Sequence, residues 1–309
     1  MDLVRKLVQA LFFFISNGFW NFPITRGIYQ GPLKVVCSPG LNCYSCPAAT
    51  TYCFLGSLQQ LLAGVRMAIE NSQFFVGFYV VGSMGLIGSF VGRMVCGWAC
   101  PFGLLQELLY KIPSRKFGVW PPLRYVKYGL LLFMVILLPL FEIDAVGLGA
   151  PWFCKYFCPA GTLEAGFPML ILQPDLRATL GPLFFNKLFI LVIFIVWAVF
   201  ASRPFCRTAC PLGAFYALFS KIKLVKLRLN STQCTNCAAC HSVCPMGVRF
   251  NESPDDMECI SCLACSKACK FNAIDLEIGG VAITNQSFAG GPRNKKNPQG
   301  SFFRVTNDH

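Results

Sequence analysis

Eight cysteines in the last third of the chain repeat one spacing twice. The spacing is Cys-x2-Cys-x2-Cys-x3-Cys, followed by Pro245 in the first run and by Lys270 in the second. In bacterial ferredoxins, three cysteines of one such run and the last cysteine of the other hold each cluster. The spacing therefore predicts two [4Fe–4S] clusters. The expected ligands are Cys234, Cys237, Cys240 and Cys269 for the first cluster, and Cys259, Cys262, Cys265 and Cys244 for the second.

Two other cofactors bind cysteines at related spacings. Zinc also takes four thiolates, but two copies of this spacing favour iron–sulfur clusters. The segment from Cys237 to His241 matches the C-x-x-C-H pattern of covalent haem attachment, yet a haem there would consume two cluster ligands. His241 and His309 are the only histidines, which excludes a bis-histidine haem within a membrane. We therefore expect no haem.

A second cysteine pattern, C-x3-C-P, occurs three times in the first two thirds of the chain. The pairs are Cys96 and Cys100, Cys154 and Cys158, and Cys206 and Cys210, with a looser fourth copy at Cys43 and Cys46. Proline favours the first position of a helix and glycine permits a tight turn. Each pair offers only two ligands, so two pairs must cooperate to hold a [4Fe–4S] cluster.

Successive pairs are expected to alternate between the two ends of the apolar segments that separate them. This predicts one further cluster at Cys96, Cys100, Cys206 and Cys210 on the inner side, and one at Cys43, Cys46, Cys154 and Cys158 on the outer side. The alternative is that these cysteines are buried structural residues, a frequent role of free cysteine. Cys37 and Cys53 remain, as a disulfide or as alternative ligands.

The elements that carry these pairs are apolar enough to lie in a membrane. The 309 residues are 55% hydrophobic and 13% charged, against about 25% charged in soluble domains. Four runs approach the roughly 20 residues that span a bilayer: residues 7–22, 74–92, 128–146 and 184–201. Residues 55–69 are more amphipathic, which predicts either an interfacial helix or part of a fifth span.

The expected fold class is an all-α transmembrane helical bundle of four to five spans with a C-terminal α+β ferredoxin domain. The membrane domain would cover residues 1–228, the ferredoxin domain 229–278 and a polar tail 279–309. The first span begins after Arg5 and Lys6, and no signal-peptide cleavage pattern follows it. We therefore expect a retained anchor helix.

Positive charge predicts the orientation. The net charge is +13, and the basic residues flank apolar runs, as in cytoplasmic loops of membrane proteins. The loop 93–127 and the segment after residue 201 are the most basic. We expect a multi-pass protein of the cytoplasmic (inner) membrane of a prokaryote, in contact with lipid, with the ferredoxin domain in the cytoplasm. Nucleic acid is not an expected partner.

These motifs together resemble the NapH/NosR-type membrane polyferredoxins over nearly the whole chain. The resemblance implies a membrane domain with C-x3-C-P motifs joined to a two-cluster ferredoxin domain. It also implies quinol oxidation, electron supply to periplasmic reductases, or metalloenzyme assembly. This chain departs from the family pattern through a third C-x3-C-P copy and through the extra cysteine group around Cys37 and Cys53. We also expect no flavin-carrying domain in it.

The sequence lacks a phosphate-binding loop and a dinucleotide fingerprint, so we expect neither nucleotide nor NAD, and no catalytic residue is assigned. The leading hypothesis is an electron-transfer subunit of a membrane redox complex, whose candidate partners are other subunits, a flavoprotein or a soluble ferredoxin. A second hypothesis is a quinone site with Glu107, Glu142 and Asp144 as proton-handling groups. A third is metalloenzyme assembly with Cys37 and Cys53 as active thiols. Whether the chain is itself an enzyme stays open.

Overall fold

A computed structural model describes residues 2–65, 69, 75–144 and 148–283. Up to residue 218, these described residues form a bundle of helices. The helices are α1 (Asp2–Ser16), α2 (Phe22–Thr25), α3 (Phe54–Ala63), α4 (Phe75–Val91), α5 (Met94–Trp98), α6 (Pro101–Tyr110), α7 (Pro121–Phe141), α8 (residues 159–172), α9 (Pro182–Phe200), α10 (Pro204–Thr208) and α11 (Pro211–Leu218). Helix α6 packs against both α1 and α9.

Several helices depart from regular α geometry. Helix α7 contains a π-helical stretch at Leu131–Leu137, and α8 contains one at Thr162–Gly166. A separate π-helical turn covers Phe153–Phe157. Short 3₁₀ turns occur at Pro32–Val35 and Pro174–Thr179. Such π-helical turns are frequent at functional sites, and two of these three lie beside cysteine pairs.

Two of the described helices are long and apolar enough to cross a membrane. They are α7, with 21 residues, and α9, with 19 residues. The apolar part of α4, Gly77–Val91, is shorter. Large apolar side chains of α9 are exposed on the bundle surface, among them Phe185, Phe189 and Val196. The structure thus supports the spans predicted at 128–146 and 184–201, with α7 beginning earlier, and does not establish four to five spans.

The first predicted span is not one continuous helix. Helix α1 ends at Ser16, and the Asn17 side chain donates to the Phe13 carbonyl at 3.0 Å. Its inward face carries the buried Arg5 and Gln9. A helix of 15 residues rises only about 22 Å, which is less than the apolar thickness of about 30 Å. Residues 7–22 therefore do not form the regular span that their composition predicts.

The C-terminal part is a small α+β domain. Strands β3 (Val225–Leu229), β4 (Ile274–Ile278) and β5 (Val281–Ile283) form an antiparallel sheet in that order, with Leu227 opposite Leu276. Two short helices, α12 (Ala239–Ser242) and α13 (Ala264–Ala268), lie between the strands in the chain. The sheet begins at Val225, ahead of the predicted boundary at 229. Most of the predicted tail, residues 284–309, lies outside the described residues.

A third feature was not expected from the sequence. Two-residue strands β1 (Cys37–Ser38) and β2 (Tyr52–Cys53) pair in parallel within the helical domain. The loop between them, residues 39–51, is held by Lys34, whose Nζ donates to the carbonyls of Tyr44 and Ala49, both at 2.8 Å. This loop inserts into the bundle and carries Cys43 and Cys46.

Candidate metal centres

Two small cavities in the ferredoxin domain are each lined by the cysteines predicted for one cluster. The first ferredoxin set is Cys234, Cys237, Cys240 and Cys269. The second ferredoxin set is Cys244, Cys259, Cys262 and Cys265. Cys240 also borders the second cavity, so the two cavities share a wall. The fold therefore brings the last cysteine of each run to the first three of the other.

The two runs also share their backbone geometry. Left-handed residues occur at matching positions, Asn236 and Ala238 in the first run and Ser261 and Leu263 in the second. Such alternation turns successive N–H groups toward one side and favours an anion. The last cysteine of each run accepts an N–H from the residue four positions later, with 3.4 Å both for Val248 to Cys244 and for Ala273 to Cys269.

In all three C-x3-C-P units, the second cysteine is the residue that precedes a helix. The proline is the first helical residue in each case. In the third unit, the glycine three positions after the cysteine donates its N–H to the sulfur, at 3.4 Å from Gly213 to Cys210. The Cys100 and Cys158 side chains accept no such capping bond. The sulfur of Cys210 thus takes the place that a serine or threonine oxygen has in ordinary helix capping.

The inner set, Cys96, Cys100, Cys206 and Cys210, lies together in the buried core. Helices α5 and α10 carry the first cysteine of each pair, and α6 and α11 begin after the second. Burial, and then the neighbouring Cys206, raises the pKa of the Cys100 and Cys210 thiols. Four buried thiolates in one place require a compensating positive charge, which an iron–sulfur core supplies.

Two fully buried guanidinium groups flank the inner set. Arg203 Nη1 donates to the Cys96 carbonyl at 2.8 Å, and Arg93 Nη2 donates to the Cys206 carbonyl at 3.4 Å. A Cβ on Gly103 would lie 3.2 Å from Arg203 Nη1. The glycine of this motif therefore also makes room for a buried cation beside an anionic site.

Glu107 balances part of this charge. It receives Arg203 Nε at 2.8 Å and Arg5 Nη2 at 2.6 Å. Burial raises the pKa of the Glu107 carboxyl, but the charge of Arg203 and the bonds from Arg5 outweigh it, so the pKa lies below its usual value. Glu107 is therefore an ionised structural partner of two arginines, and its geometry does not fit the proton-handling role predicted for a quinone site.

The outer set consists of Cys43, Cys53, Cys154 and Cys158, which line a cavity of about 960 Å³. A Cβ on Gly161 would lie 3.5 Å from Cys43 Sγ and 3.9 Å from Cys158 Sγ. Cys53 neighbours both Cys43 and Cys154 electrostatically. The predicted outer group contained Cys46 instead of Cys53; of these two cysteines, Cys53 lines the cavity, and Cys46 lies beside Cys43 outside it.

Cys46 and Cys37 both point elsewhere. Cys46 Sγ lies 3.7 Å from Asn17 Oδ1 and does not line the cavity. Cys37 Sγ lies 3.4 Å from Ser57 Oγ. Cys37 and Cys53 are both free and buried, so the disulfide considered from the sequence is not formed.

A repeated glutamine relates the outer set to the inner set. Gln106 Nε2 donates to Cys206 Sγ at 3.2 Å, and its Oε1 accepts the Phe205 N–H at 3.1 Å. Gln59 Nε2 donates to Cys154 Sγ at 3.1 Å, and its Oε1 accepts the Phe153 N–H at 3.0 Å. The two sites are therefore two copies of one arrangement.

The copies align in the sequence as well. Gln59 follows Cys53 by six positions, as Gln106 follows Cys100, and Gly56 stands where Gly103 stands. Cys53 Sγ accepts the Leu55 N–H at 3.3 Å as the residue preceding α3. The signal for Cys53 was thus Cys-x2-Gly-x2-Gln, whereas the search for Cys-Pro selected Cys46.

Glu164 is a second residue that the sequence did not single out. Its Oε2 accepts the Cys43 N–H at 2.7 Å, which fixes the cysteine contributed by the long loop. Burial raises the pKa of Glu164 to about 7. Glu142 lies exposed where α7 ends, and the backbone N–H of Asp144 bonds to the Leu148 carbonyl. Neither residue lines the cavity beside the outer set.

The ferredoxin domain is fixed to the helical domain by a buried ion-pair cluster. Glu258 Oε2 pairs with Arg93 Nη1 at 2.6 Å and with Lys127 Nζ. The Trp98 indole donates to the Ser261 carbonyl at 3.2 Å. Met246, Val248 and Ile260 belong to the same buried core as the inner set, with Cys244 and Cys262 packed against it. Lys127, at the end of the basic loop 93–127, is a buried partner of the ferredoxin domain.

Three of the four cysteine sets, the two ferredoxin sets and the outer set, line cavities. The inner set lies in the buried core. Each set has four cysteines, the number of thiolates that a [4Fe–4S] cluster takes. Backbone and glutamine N–H groups reach the sulfurs from outside, which is the hydrogen bonding that tunes such clusters.

Comparison with known proteins also points to the binding of [4Fe–4S] clusters. The family model described as "4Fe-4S binding domain" matches residues 73–119, 128–167 and 183–230. Each of these segments contains one C-x3-C-P unit. No solved structure matches the chain.

Curated relatives match half of the chain or more. The uncharacterized protein MJ0750 of Methanocaldococcus jannaschii is 30% identical over 234 residues, which are 72% of this chain and 85% of that protein. The methylamine utilization ferredoxin-type protein MauN of Methylorubrum extorquens is 26% identical, over 61% of this chain and 58% of its own. The regulatory protein NosR of Stutzerimonas stutzeri is 31% identical, over 50% of this chain and 20% of its own. The chain belongs to this family of ferredoxin-type, 4Fe-4S-binding membrane electron-transport proteins.

Proposed function

We propose that the chain conducts electrons through four [4Fe–4S] sites, from a soluble partner at the ferredoxin domain to an acceptor beside the outer set, or in reverse. The first and second ferredoxin sets would hold two clusters, and the inner and outer sets would hold two more. When bound, each cluster accepts and releases one electron. The residues of the chain bind the clusters, tune them and set the order in which they follow one another.

The observation that carries this proposal is the unbroken succession of the four cysteine sets. The two ferredoxin cavities share Cys240. Cys244 and Cys262 of the second ferredoxin set pack on the core that contains the inner set. That same core includes Cys53 and Cys158 of the outer set. A succession of this kind serves electron transfer, whereas isolated structural sites have no need of adjacency.

The two ends of the succession differ in a way that suits two different partners. Cys237 of the first ferredoxin set is exposed, so a soluble ferredoxin or flavoprotein can approach that site. The outer set opens into the large cavity. We place the ferredoxin domain in the cytoplasm and the helices in the inner membrane, with α7 and α9 as spans. Other subunits of a redox complex would supply the final donor or acceptor.

The test uses the cluster-loaded chain in liposomes that contain trapped ferricyanide. Dithionite is added outside, where it reaches the ferredoxin domain of correctly oriented molecules. The proposal predicts bleaching of the trapped ferricyanide, which Cys53→Ala abolishes and Cys46→Ala preserves. Bleaching at the rate of protein-free liposomes would contradict the proposal.

A second candidate function is a quinone reaction at the outer set. The cavity of about 960 Å³ is larger than one cluster requires and has apolar as well as polar walls, including Leu61, Met169, Phe184 and Lys187. Amphipathic redox carriers are bound in cavities of this size and character. The quinone would then be the acceptor or donor at this end of the same succession.

This second candidate is tested with a soluble quinol analogue and the purified chain. It predicts reduction of the clusters by the quinol, and inhibition by Met169→Trp, which fills the cavity without touching a cysteine. A matched Met134→Trp change in α7, away from the cavity lining, would leave the rate unaltered. Clusters that stay oxidised with every quinol would exclude this function and leave the conduit in place.

A further inference from the structure

We infer that residues Gly40–Leu41–Asn42 form the bridge by which electrons pass between the inner set and the outer set. This inference rests on the proposed function, because it assumes that both sets hold clusters. It adds a specific route between them, and it gives the inserted loop between β1 and β2 a role beyond supplying Cys43.

The inner end of the bridge touches Cys100. A Cβ placed on Gly40 would lie 2.9 Å from Cys100 Cα, 3.2 Å from the Ala99 carbonyl oxygen and 3.4 Å from Cys100 Cβ. Only glycine allows the backbone to approach this closely. The N–H of the next residue, Leu41, lies near the Cys100 thiol.

The outer end of the bridge touches Cys53. The Cys53 N–H donates to the Asn42 carbonyl at 2.9 Å. The segment therefore contacts Cys100 of the inner set through Gly40 and hydrogen-bonds Cys53 of the outer set through Asn42, two residues later.

The bridge is buried and held from the side. Leu41 is 2% exposed and Asn42 is 1% exposed. The Asn42 side chain donates to the Thr51 carbonyl at 3.1 Å. The Tyr216 hydroxyl, fully buried, donates to the Pro39 carbonyl at 3.4 Å. Water is therefore excluded from the gap, and the backbone is fixed in one geometry.

The step itself moves one electron and changes no bonds. The inner site loses the electron and is oxidised, and the outer site gains it and is reduced. The Leu41 and Asn42 peptides stay intact, and their N–H groups keep their protons. An N–H close to a cysteine sulfur stabilises the more negative, reduced form of the site, so the Leu41 N–H near Cys100 should raise the potential of the inner site.

The experiment begins with the iron content of the purified, cluster-loaded chain, and then measures two quantities. They are the rate of electron redistribution between the membrane sites after flash reduction, and the reduction potential of each site by EPR-monitored titration. Gly40→Ala forces the segment away from the Cys100 backbone, and Leu41→Pro removes one N–H. Gly85→Ala is the control, because nothing lies within 4 Å of a Cβ at Gly85.

The bridge predicts a severalfold slower redistribution in Gly40→Ala with unchanged iron content. It also predicts a lower potential of the inner site alone in Leu41→Pro. Gly85→Ala should match the native chain in both measurements. If Gly40→Ala retains its iron and the native rate, the bridge is wrong while the proposed function stands. If the native chain holds only the two ferredoxin clusters, the proposed function falls, and the bridge falls with it.

Discussion

At the scale of single residues, the outer set shows which parts of a cysteine motif carry its chemistry. The proline of Cys-Pro starts a helix, but the glutamine six positions after the cysteine reaches the first cysteine of the facing pair, from Gln106 to Cys206 and from Gln59 to Cys154. Cys53 has this glutamine without the proline, and Cys46 has the proline without the glutamine. The position of Cys53 beside the cavity therefore correlates with the glutamine and not with the proline.

The first prediction separates these two cysteines. Cys53→Ala should lower the iron content by about four ions per chain, since it removes one thiolate of a [4Fe–4S] site. Cys46→Ala should leave the iron content unchanged, because Cys46 lies beside Asn17 outside the cavity. Iron and acid-labile sulfide analysis decides the matter, and equal iron loss in both variants would refute the assignment.

The second prediction concerns the repeated glutamines. Gln59→Leu removes the N–H that reaches Cys154 Sγ and should lower the potential of the outer site alone. Gln106→Leu should lower the potential of the inner site alone, through Cys206 Sγ. Redox titration followed by EPR resolves the sites. A shift of both sites in either variant would contradict their independence.

The third prediction concerns Glu107. Replacing it by glutamine leaves Arg203 fully buried without its carboxylate partner, and should cost about 3–5 kcal/mol of unfolding free energy. The control is Glu252→Gln, which affects only an exposed pair with Arg249 and should leave stability unchanged. Denaturant unfolding in mild detergent measures both variants. Native stability of Glu107→Gln would show that the buried pair is dispensable.

At the scale of elements, the sequence revealed the repeated cysteine motifs but not the inserted loop 39–51. The ferredoxin runs predicted which cysteines share a cavity, because their repeated spacing is typical of two-cluster ferredoxins. The loop 39–51 was harder to place, because its position depends on Lys34, Glu164 and Gly40 contacting segments far along the chain. Long-range contacts of this kind leave no periodic signal in the sequence.

The helices show the same division. The composition predicted the bounds of α9 to within two residues, since an uninterrupted apolar run of this length is typical of a membrane-spanning helix. It failed at residues 7–22, because Arg5 and Gln9 turn inward to polar partners and α1 stops at Ser16. Only the packing against α6 reveals that α1 serves the core around the inner set.

The fourth prediction tests how the two domains are held together. Glu258→Gln removes the carboxylate shared by Arg93 and Lys127, so the ferredoxin domain should dock less tightly. Hydrogen exchange of residues 244–262 should increase, and electron transfer from the ferredoxin domain to the inner site should slow. Glu277→Gln, whose pair with Arg228 lies within the ferredoxin sheet, is the control. Unchanged hydrogen exchange in Glu258→Gln would show that this ion-pair cluster does not hold the two domains together.

At the scale of the whole molecule, the cysteine sets and the buried charges form one organised interior. The second ferredoxin set meets the inner set across the Glu258 contact, and the inner set meets the outer set across residues 40–42. Around this interior, α7 and α9 expose large apolar side chains. The chain thus has an apolar exterior on these helices around an interior that contains the inner and outer cysteine sets, an arrangement that suits the proposed electron path in a member of a membrane electron-transport family.

The most direct test of this account is the iron and acid-labile sulfide content of the anaerobically purified, full-length chain, with Mössbauer spectra to identify cluster type. Four [4Fe–4S] sites predict about sixteen irons per chain, and Cys53→Ala should lower this to about twelve. About eight irons, all assigned to the ferredoxin domain, would contradict the account, because the inner and outer sets would then be structural thiols and the succession would end at the second ferredoxin set.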